Sequence, residues 1–212
     1  MVIRNAIFDW SGTLSDDLVQ GYTATMNVFR RLGVAPLTFE AYRREFTLPY
    51  MDFYRKFVSL PEEELRFLFL EEISRGEEPD LFPHVRELLS ILREQGVRLA
   101  ILSSHPQEKL EQEVRDFGLH GWFVAVCGSV HDKTSAIRVI LERAEFLSSE
   151  TVYIGDMTHD MEAGKGAEVL TIGVTWGYQT REKLSSCSPG FLADDMEELK
   201  EFLLCNIALP SV

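Results

Sequence analysis

The segment Phe8-Asp9-Trp10-Ser11-Gly12-Thr13-Leu14 places a carboxylate, two hydroxyls and a glycine directly after an apolar run. A carboxylate at the end of a buried strand stands at the carboxyl edge of a parallel sheet, where ligands bind in open α/β folds. Gly12 permits a tight turn, and the Thr13 hydroxyl and the loop amides can face an anion. A second segment, Gly155-Asp156-Met157-Thr158-His159-Asp160, follows another apolar run. A helix beginning near Thr158 would turn Asp156 and Asp160 toward one edge. Singly, each carboxylate has an ordinary role: Asp9 and Asp156 in turns, Asp160 in a charge interaction at a helix N-terminus. Together, three carboxylates at one edge repel one another unless a cation is present. Hard oxygen donors with open water positions suit Mg²⁺. A cation beside a strand-end aspartate is equipment for phosphoryl transfer.

Two more features accompany them. The run Leu99-Ala-Ile-Leu102 ends in Ser103-Ser104. Helix capping before Pro106 would account for Ser104 but not for both hydroxyls. Lys133 opens a helical pattern, where a cation opposes the macrodipole, and so implies an anionic partner; the plainer alternative is a lysine pointing at solvent.

These residues need a scaffold. Residues 2–8, 97–102, 122–127, 151–154 and 169–174 are short and nearly continuous in apolar side chains, as strands covered on both faces should be. Amphipathic stretches at 84–95, 107–117, 134–144 and 194–205 alternate with them, and Gly96 and Gly118 act as stop signals. This alternation predicts a parallel α/β sheet. Residues 16–78 contain no convincing strand and read as helices at 17–32, 38–47, 50–60 and 62–75. Nine aromatic residues lie between Phe39 and Phe69; most should fill a small helical core. One or two, with Arg43, Arg44, Arg55 or Lys56, could instead face a ligand. A helical insert after the first strand, with return to the same sheet, implies two parts and a cleft between them.

The chain has 212 residues, 45% of them hydrophobic, enough for a real core. Its 34 acidic and 21 basic residues give a net charge of -13, which disfavours nucleic-acid and anionic-membrane partners. The start is apolar for too few residues to be a signal peptide, and no later stretch is long enough to span a bilayer. Cys127, Cys187 and Cys205 are odd in number, resemble no zinc site, and read as reduced thiols of a cytoplasmic protein.

The Asp9 loop, the strand ending in Ser103, Lys133, and Gly155-Asp156 with Asp160 occur in an order that resembles the haloacid dehalogenase-like hydrolase superfamily across essentially the whole chain. The run Gly173-Val-Thr-Trp-Gly-Tyr178 resembles the phosphoglycolate phosphatase and β-phosphoglucomutase branch. The resemblance implies a Rossmann-like parallel core, residues 1–15 and 80–212, with an inserted α-helical cap, residues 16–79. It implies that Asp9 attacks phosphorus and forms an aspartyl-phosphate. Ser103 and Lys133 would hold the phosphoryl oxygens, with Gly12 and Ser104 beside them, and Thr13 would support the loop. Mg²⁺ would be bound by Asp9, Asp156 and the main-chain carbonyl of Ser11, with Asp160 orienting its waters or Lys133. The substrate would be a small phosphorylated metabolite.

One position departs from that pattern. Most phosphatases of the superfamily carry a second Asp two residues after the nucleophile, as general acid and base; this chain has Ser11. Serine cannot act as a carboxylic acid near neutral pH. Four readings follow. A phosphatase could use rerouted acid–base chemistry, with His105, His159 or a cap residue supplying the proton and acidic leaving groups favoured. The phosphoenzyme could be long-lived. The protein could be a phosphate-binding or regulatory module. It could be a carbon–phosphorus hydrolase similar to phosphonoacetaldehyde hydrolases, with Lys56 as the Schiff-base lysine. The five retained residues Asp9, Ser103, Lys133, Asp156 and Asp160 favour the first.

Overall fold

The computed structural model describes residues 2–207. Six parallel strands form one sheet in the order β3-β2-β1-β4-β5-β6. They are β1 (Asn5–Phe8), β2 (Arg98–Leu102), β3 (Phe123–Cys127), β4 (Thr151–Gly155), β5 (Leu170–Val174) and β6 (Phe191–Ala193). β1 is wholly buried and central, as its run Asn-Ala-Ile-Phe requires. Phe8 pairs with Ile101 on one side and Ile154 on the other. The strand order therefore reverses at β1, which creates the crevice at the strand ends where α/β folds bind ligands.

Helices cover both faces. Ala6 and Phe8 pack with Leu88, Leu89 and Leu92 of α5 (Val85–Glu94), Leu110 and Val114 of α6 (Gln107–Asp116), and Leu199 and Leu203 of α10 (Met196–Asn206). Ile7, Ala100 and Tyr153 pack with Ile137 and Ile140 of α7 (Lys133–Arg143) and Ala163 of α8 (Thr158–Gly166). Opposite faces of β1 thus enter different clusters, as a period of two dictates.

The four helices α1 (Leu18–Arg31), α2 (Phe39–Glu45), α3 (Tyr50–Tyr54) and α4 (Glu62–Ile73) enclose a third apolar cluster. Its centre is aromatic: Phe29 stacks on Phe53 at 6.0 Å, and Tyr42 meets Phe53 edge-on at 5.5 Å. α3 is shorter than the pattern over 50–60 predicts. Beyond Tyr54 the chain tightens into turns that bring Phe57 to 5.2 Å from Phe29, so packing overrides the helical period. Two elements escape the sequence pattern altogether, α9 (Arg181–Ser186) and the edge strand β6. β6 has three residues, too few to show alternation, and exists through its pairing with β5.

This insert is clamped to the sheet domain. Arg43 of α2 donates to the carbonyls of Thr175, Gly177 and Gln179, at 2.6, 2.9 and 2.8 Å. Lys183 Nζ and the Gln179 amide both donate to the Phe46 carbonyl, at 2.6 and 3.0 Å. Of the cap cations considered from sequence, Arg43 is thus a strut between the two parts. Arg44 and Arg55 pair with Glu40 and Asp52 at the exposed surface.

Candidate active site

Asp9, Ser103 and Asp156 each stand one residue beyond a strand, β1, β2 and β4 respectively. Lys133 is the first residue of α7, whose Asp132 cap accepts from Ser135 N at 3.0 Å. The Lys133 side chain turns inward and is 1% exposed. Its ammonium lies 2.8 Å from Asp9 Oδ2 and 2.7 Å from Asp160 Oδ1, so the anionic partner expected for this lysine is a pair of carboxylates. The penalty of burial is overcome by Asp160 and Asp9, and the lysine pKa is raised.

Asp160 does two things at once. Its Oδ2 accepts from Met157 N at 3.0 Å, the helix-terminal role. Its Oδ1 accepts from Lys133 and from the Tyr153 hydroxyl at 2.8 Å. Gly155 makes room, since a Cβ there would fall 2.5 Å from Asp160 Cβ. Asp156 is fully buried, accepts from Tyr178 N at 2.6 Å, and meets the Thr13 hydroxyl at 3.3 Å. Gly12, at φ 72°, closes the loop against it; a Cβ would lie 2.4 Å from Asp156 Oδ2.

Carboxylate oxygens of Asp9, Asp156 and Asp160 lie within 4.8 Å of one another. Burial, opposed by Lys133 and reinforced by Asp160, pushes Asp9 up to about 7. Burial and the charges of Asp160 and Asp9 push Asp156 well above the carboxylate range. If all three were ionised, three carboxylates against one ammonium would leave two uncompensated negative charges in a buried space, the deficit a divalent cation fills. The donor set, oxygen only, fits Mg²⁺.

A cavity of about 310 Å³ opens above Asp9. Ser11, Ser103, Ser104 and Lys133 line it with Asp9. Ser103 is buried, and its Oγ accepts from His105 N at 3.1 Å. Ser104 is exposed and makes no cap for α6, whose cap position is Pro106. Gly12 and Thr13 do not line the cavity; Gly12 N donates to Asp17 and to the Ser15 carbonyl. Of the two histidines considered as proton donors, His105 lines the cavity and His159 does not. His105 Nε2 is 3.3 Å from Glu113, which also accepts from the Trp10 indole at 2.6 Å. Trp10 is therefore a packed part of the loop. Lys56 lies outside the cavity, paired with Glu45 at 2.9 Å, which leaves a Schiff-base reading without its lysine.

Asp17 was not among the residues the sequence pointed to. It occupies the cap position of α1, where it reads as an ordinary helix cap, yet its side chain makes no capping hydrogen bond. The carboxylate instead accepts from the Ser11 hydroxyl and from Gly12 N at 3.1 Å. The loop folds back through Gly12 N to the Ser15 carbonyl, which brings the two together. Burial raises Asp17 to about 6, against the lowering effects of Ser11 and His105. An Asp immediately before a helix that follows a Gly-Thr turn was the available signal, and it has too many structural meanings to single out this residue.

Comparison with known proteins adds a family. The signature of the haloacid dehalogenase-like hydrolases matches residues 6–174. The chain is 28% identical over 213 residues to pyrophosphatase PpaX of Listeria welshimeri, covering 93% of this chain and 94% of that one. It is 27% identical over 198 residues to a phosphoglycolate phosphatase of Synechococcus elongatus, covering 91% and 93%. Among solved structures, a haloacid dehalogenase-like hydrolase of Streptococcus pneumoniae superposes with a TM-score of 0.81 at 21% identity, covering 94% of this chain and 98% of that one.

Proposed function

The chain belongs to the haloacid dehalogenase-like hydrolase family, and we propose that it is a Mg²⁺-dependent phosphatase cleaving a small organic phosphate ester through an aspartyl-phosphate at Asp9. One observation carries this reading. Asp9 is a buried carboxylate on a cavity floor, oriented by Lys133 at 2.8 Å and Trp10 N at 2.8 Å, beside two more carboxylates. The phosphatase names of the relatives support it. The sheet domain, residues 1–15 and 80–212, would carry the chemistry, and the insert at 16–79 would serve as its cap.

In the first step a carboxylate oxygen of Asp9 attacks phosphorus, and the bond from phosphorus to the ester oxygen breaks, its electron pair leaving with that oxygen. Ser103 and Lys133 hold the phosphoryl oxygens, and Ser104 stands at the rim. Asp9, Asp156 and the Ser11 main-chain carbonyl would hold Mg²⁺, with Asp160 ordering its waters or Lys133. When bound, the cation neutralises the charge between carboxylate and phosphoryl group. In the second step water attacks phosphorus, and the bond to Asp9 breaks to restore the carboxylate.

Ser11 serves that second step. Its hydrogen is engaged by Asp17, which leaves the Oγ of this cavity-lining residue free to act as an acceptor. The water gives its proton to Ser11 Oγ as the Ser11 proton moves to Asp17, whose carboxylate lies behind the cavity wall.

Turnover of p-nitrophenyl phosphate with Mg²⁺, and its loss in excess chelator, tests the proposal together with mass-spectrometric detection of phosphate on Asp9. Full activity in chelator, or no turnover with no adduct on Asp9, overturns it.

A further inference from the structure

The cavity has two unlike ends. Its floor is polar, with Asp9, Ser103 and Lys133. Its upper wall comes from the inserted helices and consists mainly of Tyr42, Phe46, Leu48, Tyr54, Phe69 and Leu70. The hydroxyls of Tyr54, Thr25 and Tyr50 on that wall are already committed. The Tyr54 hydroxyl donates to Thr25 Oγ1 at 3.2 Å, and Thr25 donates to the Gly21 carbonyl at 2.8 Å. Tyr50, also on the wall, donates to Glu62 at 3.3 Å. Arg66 is the one charged side chain the insert contributes, and it is exposed.

A sugar on this wall would lose its water hydrogen bonds without replacement. On this wall the second anionic group of a pyrophosphate or a phosphoglycolate would find Arg66 as its single cation. An apolar ring loses nothing and gains burial. The volume, about 310 Å³, is at the small end for ligand pockets and suits one ring system rather than a nucleotide.

Ser11 points the same way by independent chemistry. With a hydroxyl and not a carboxylic acid at that position, the ester oxygen leaves with less direct protonation. A phenol, of pKa about 10, does so far more readily than an alkyl alcohol. We propose that the substrates are aryl phosphates, with the phenolic ring seated against Tyr42, Phe46 and Phe69 and the phosphate on Asp9. The aryl oxygen departs as phenoxide and is protonated by solvent; water supplies the oxygen of the released phosphate. This proposal rests on the phosphatase reading.

Three esters separate the two effects. Methyl and benzyl phosphate both release alkyl alcohols but differ in the ring. Benzyl and phenyl phosphate share the ring but differ in leaving group. We expect kcat/KM for benzyl phosphate to exceed that for methyl phosphate by about 10–100-fold, mostly in KM, and phenyl phosphate to exceed benzyl phosphate in kcat. Phosphoglycolate and pyrophosphate should fall below phenyl phosphate. In the Leu70→Gln and Phe69→Ser variants the benzyl-to-methyl ratio should collapse toward one; Leu70 is 54% exposed, so its replacement does not threaten folding. Calorimetric binding of phenylphosphonate against methylphosphonate, with Mg²⁺, reads the ring's contribution without bond cleavage. A benzyl-to-methyl ratio near one, equal phosphonate affinities, or faster turnover of phosphoglycolate or pyrophosphate overturns the proposal. If no ester turns over, the phosphatase reading falls, and the phosphonate ratio still decides whether the wall selects a ring.

Discussion

The Ser11 hydroxyl donates its hydrogen to the carboxylate of Asp17, and the Asp17 carboxylate also receives Gly12 N. A serine that stands where related phosphatases carry an acid is thus backed by an acid six residues later. If this pair relays the proton of the hydrolytic water, Asp17→Asn should slow breakdown of the phosphoenzyme more than its formation. The expected loss in kcat is about 10²-fold, at the lower end for general acid–base catalysis. Rapid-quench kinetics should show a burst of alcohol followed by a slow steady state. An unchanged steady-state rate would mean that Asp17 only fixes the loop.

The same contact changes what Ser11→Asp should do. Taken alone, the substitution restores the family's acid. In the folded chain it would press a second carboxyl against buried Asp17, and like charges disfavour joint ionisation. The single variant should therefore lose stability and gain little rate. Ser11→Asp combined with Asp17→Asn relieves the repulsion, and it should hydrolyse methyl phosphate faster than the parent. Thermal unfolding and methyl phosphate kinetics on both variants check this; a single variant as stable and fast as the double one refutes it.

Metal binding should be visible in stability, with a sign fixed by the carboxylates. Without a cation, burial holds Asp9 at about 7 and Asp156 well above the ordinary range. Groups raised in the folded state bind protons more tightly than in the unfolded chain, so their contribution is complete below about pH 4 and is lost as pH rises toward 7. A bound divalent cation keeps them ionised and removes that loss. The difference in Tm between Mg²⁺ and chelator should therefore widen from pH 5 to pH 8, measured by thermal scans at fixed ionic strength. A constant or shrinking difference would contradict the assignment of these carboxylates as ligands.

How much of this was legible beforehand follows from where each residue sits. Asp9, Ser103 and Asp156 stand directly at strand ends, and strand ends are marked by apolar runs, so the sequence exposes them. Lys133 is visible because a cation at a helix start is out of place. Asp17 is hidden because a helix-start Asp is what capping predicts, and only the fold-back at Gly12 and Ser15 aims it at Ser11. The strut role of Arg43, read from sequence as a cation that could face a ligand, is hidden because its three carbonyl partners lie more than a hundred residues away. β6 is hidden because three residues carry no period. The apolar wall was half visible: the aromatic density showed, but not which rings face inward.

Lys133 provides the most direct test of how the charges are balanced. It is fully buried and holds both Asp9 and Asp160, at 2.8 and 2.7 Å. Lys133→Met keeps much of the side-chain volume and removes the charge, leaving two carboxylates unpaired in the interior. Breaking a buried pair in this way costs about 3–5 kcal/mol. The loss should be larger in chelator at pH 8 than at pH 5, where Asp9 takes a proton in both proteins and needs the lysine less. Mg²⁺ should restore part of the stability but little of the activity, because the cation replaces the missing charge and not the ligand to the phosphoryl oxygens. Denaturant unfolding at the two pH values, with and without Mg²⁺, reads all four conditions. A loss that is the same in all of them would show that Lys133 acts through packing and not through its charge.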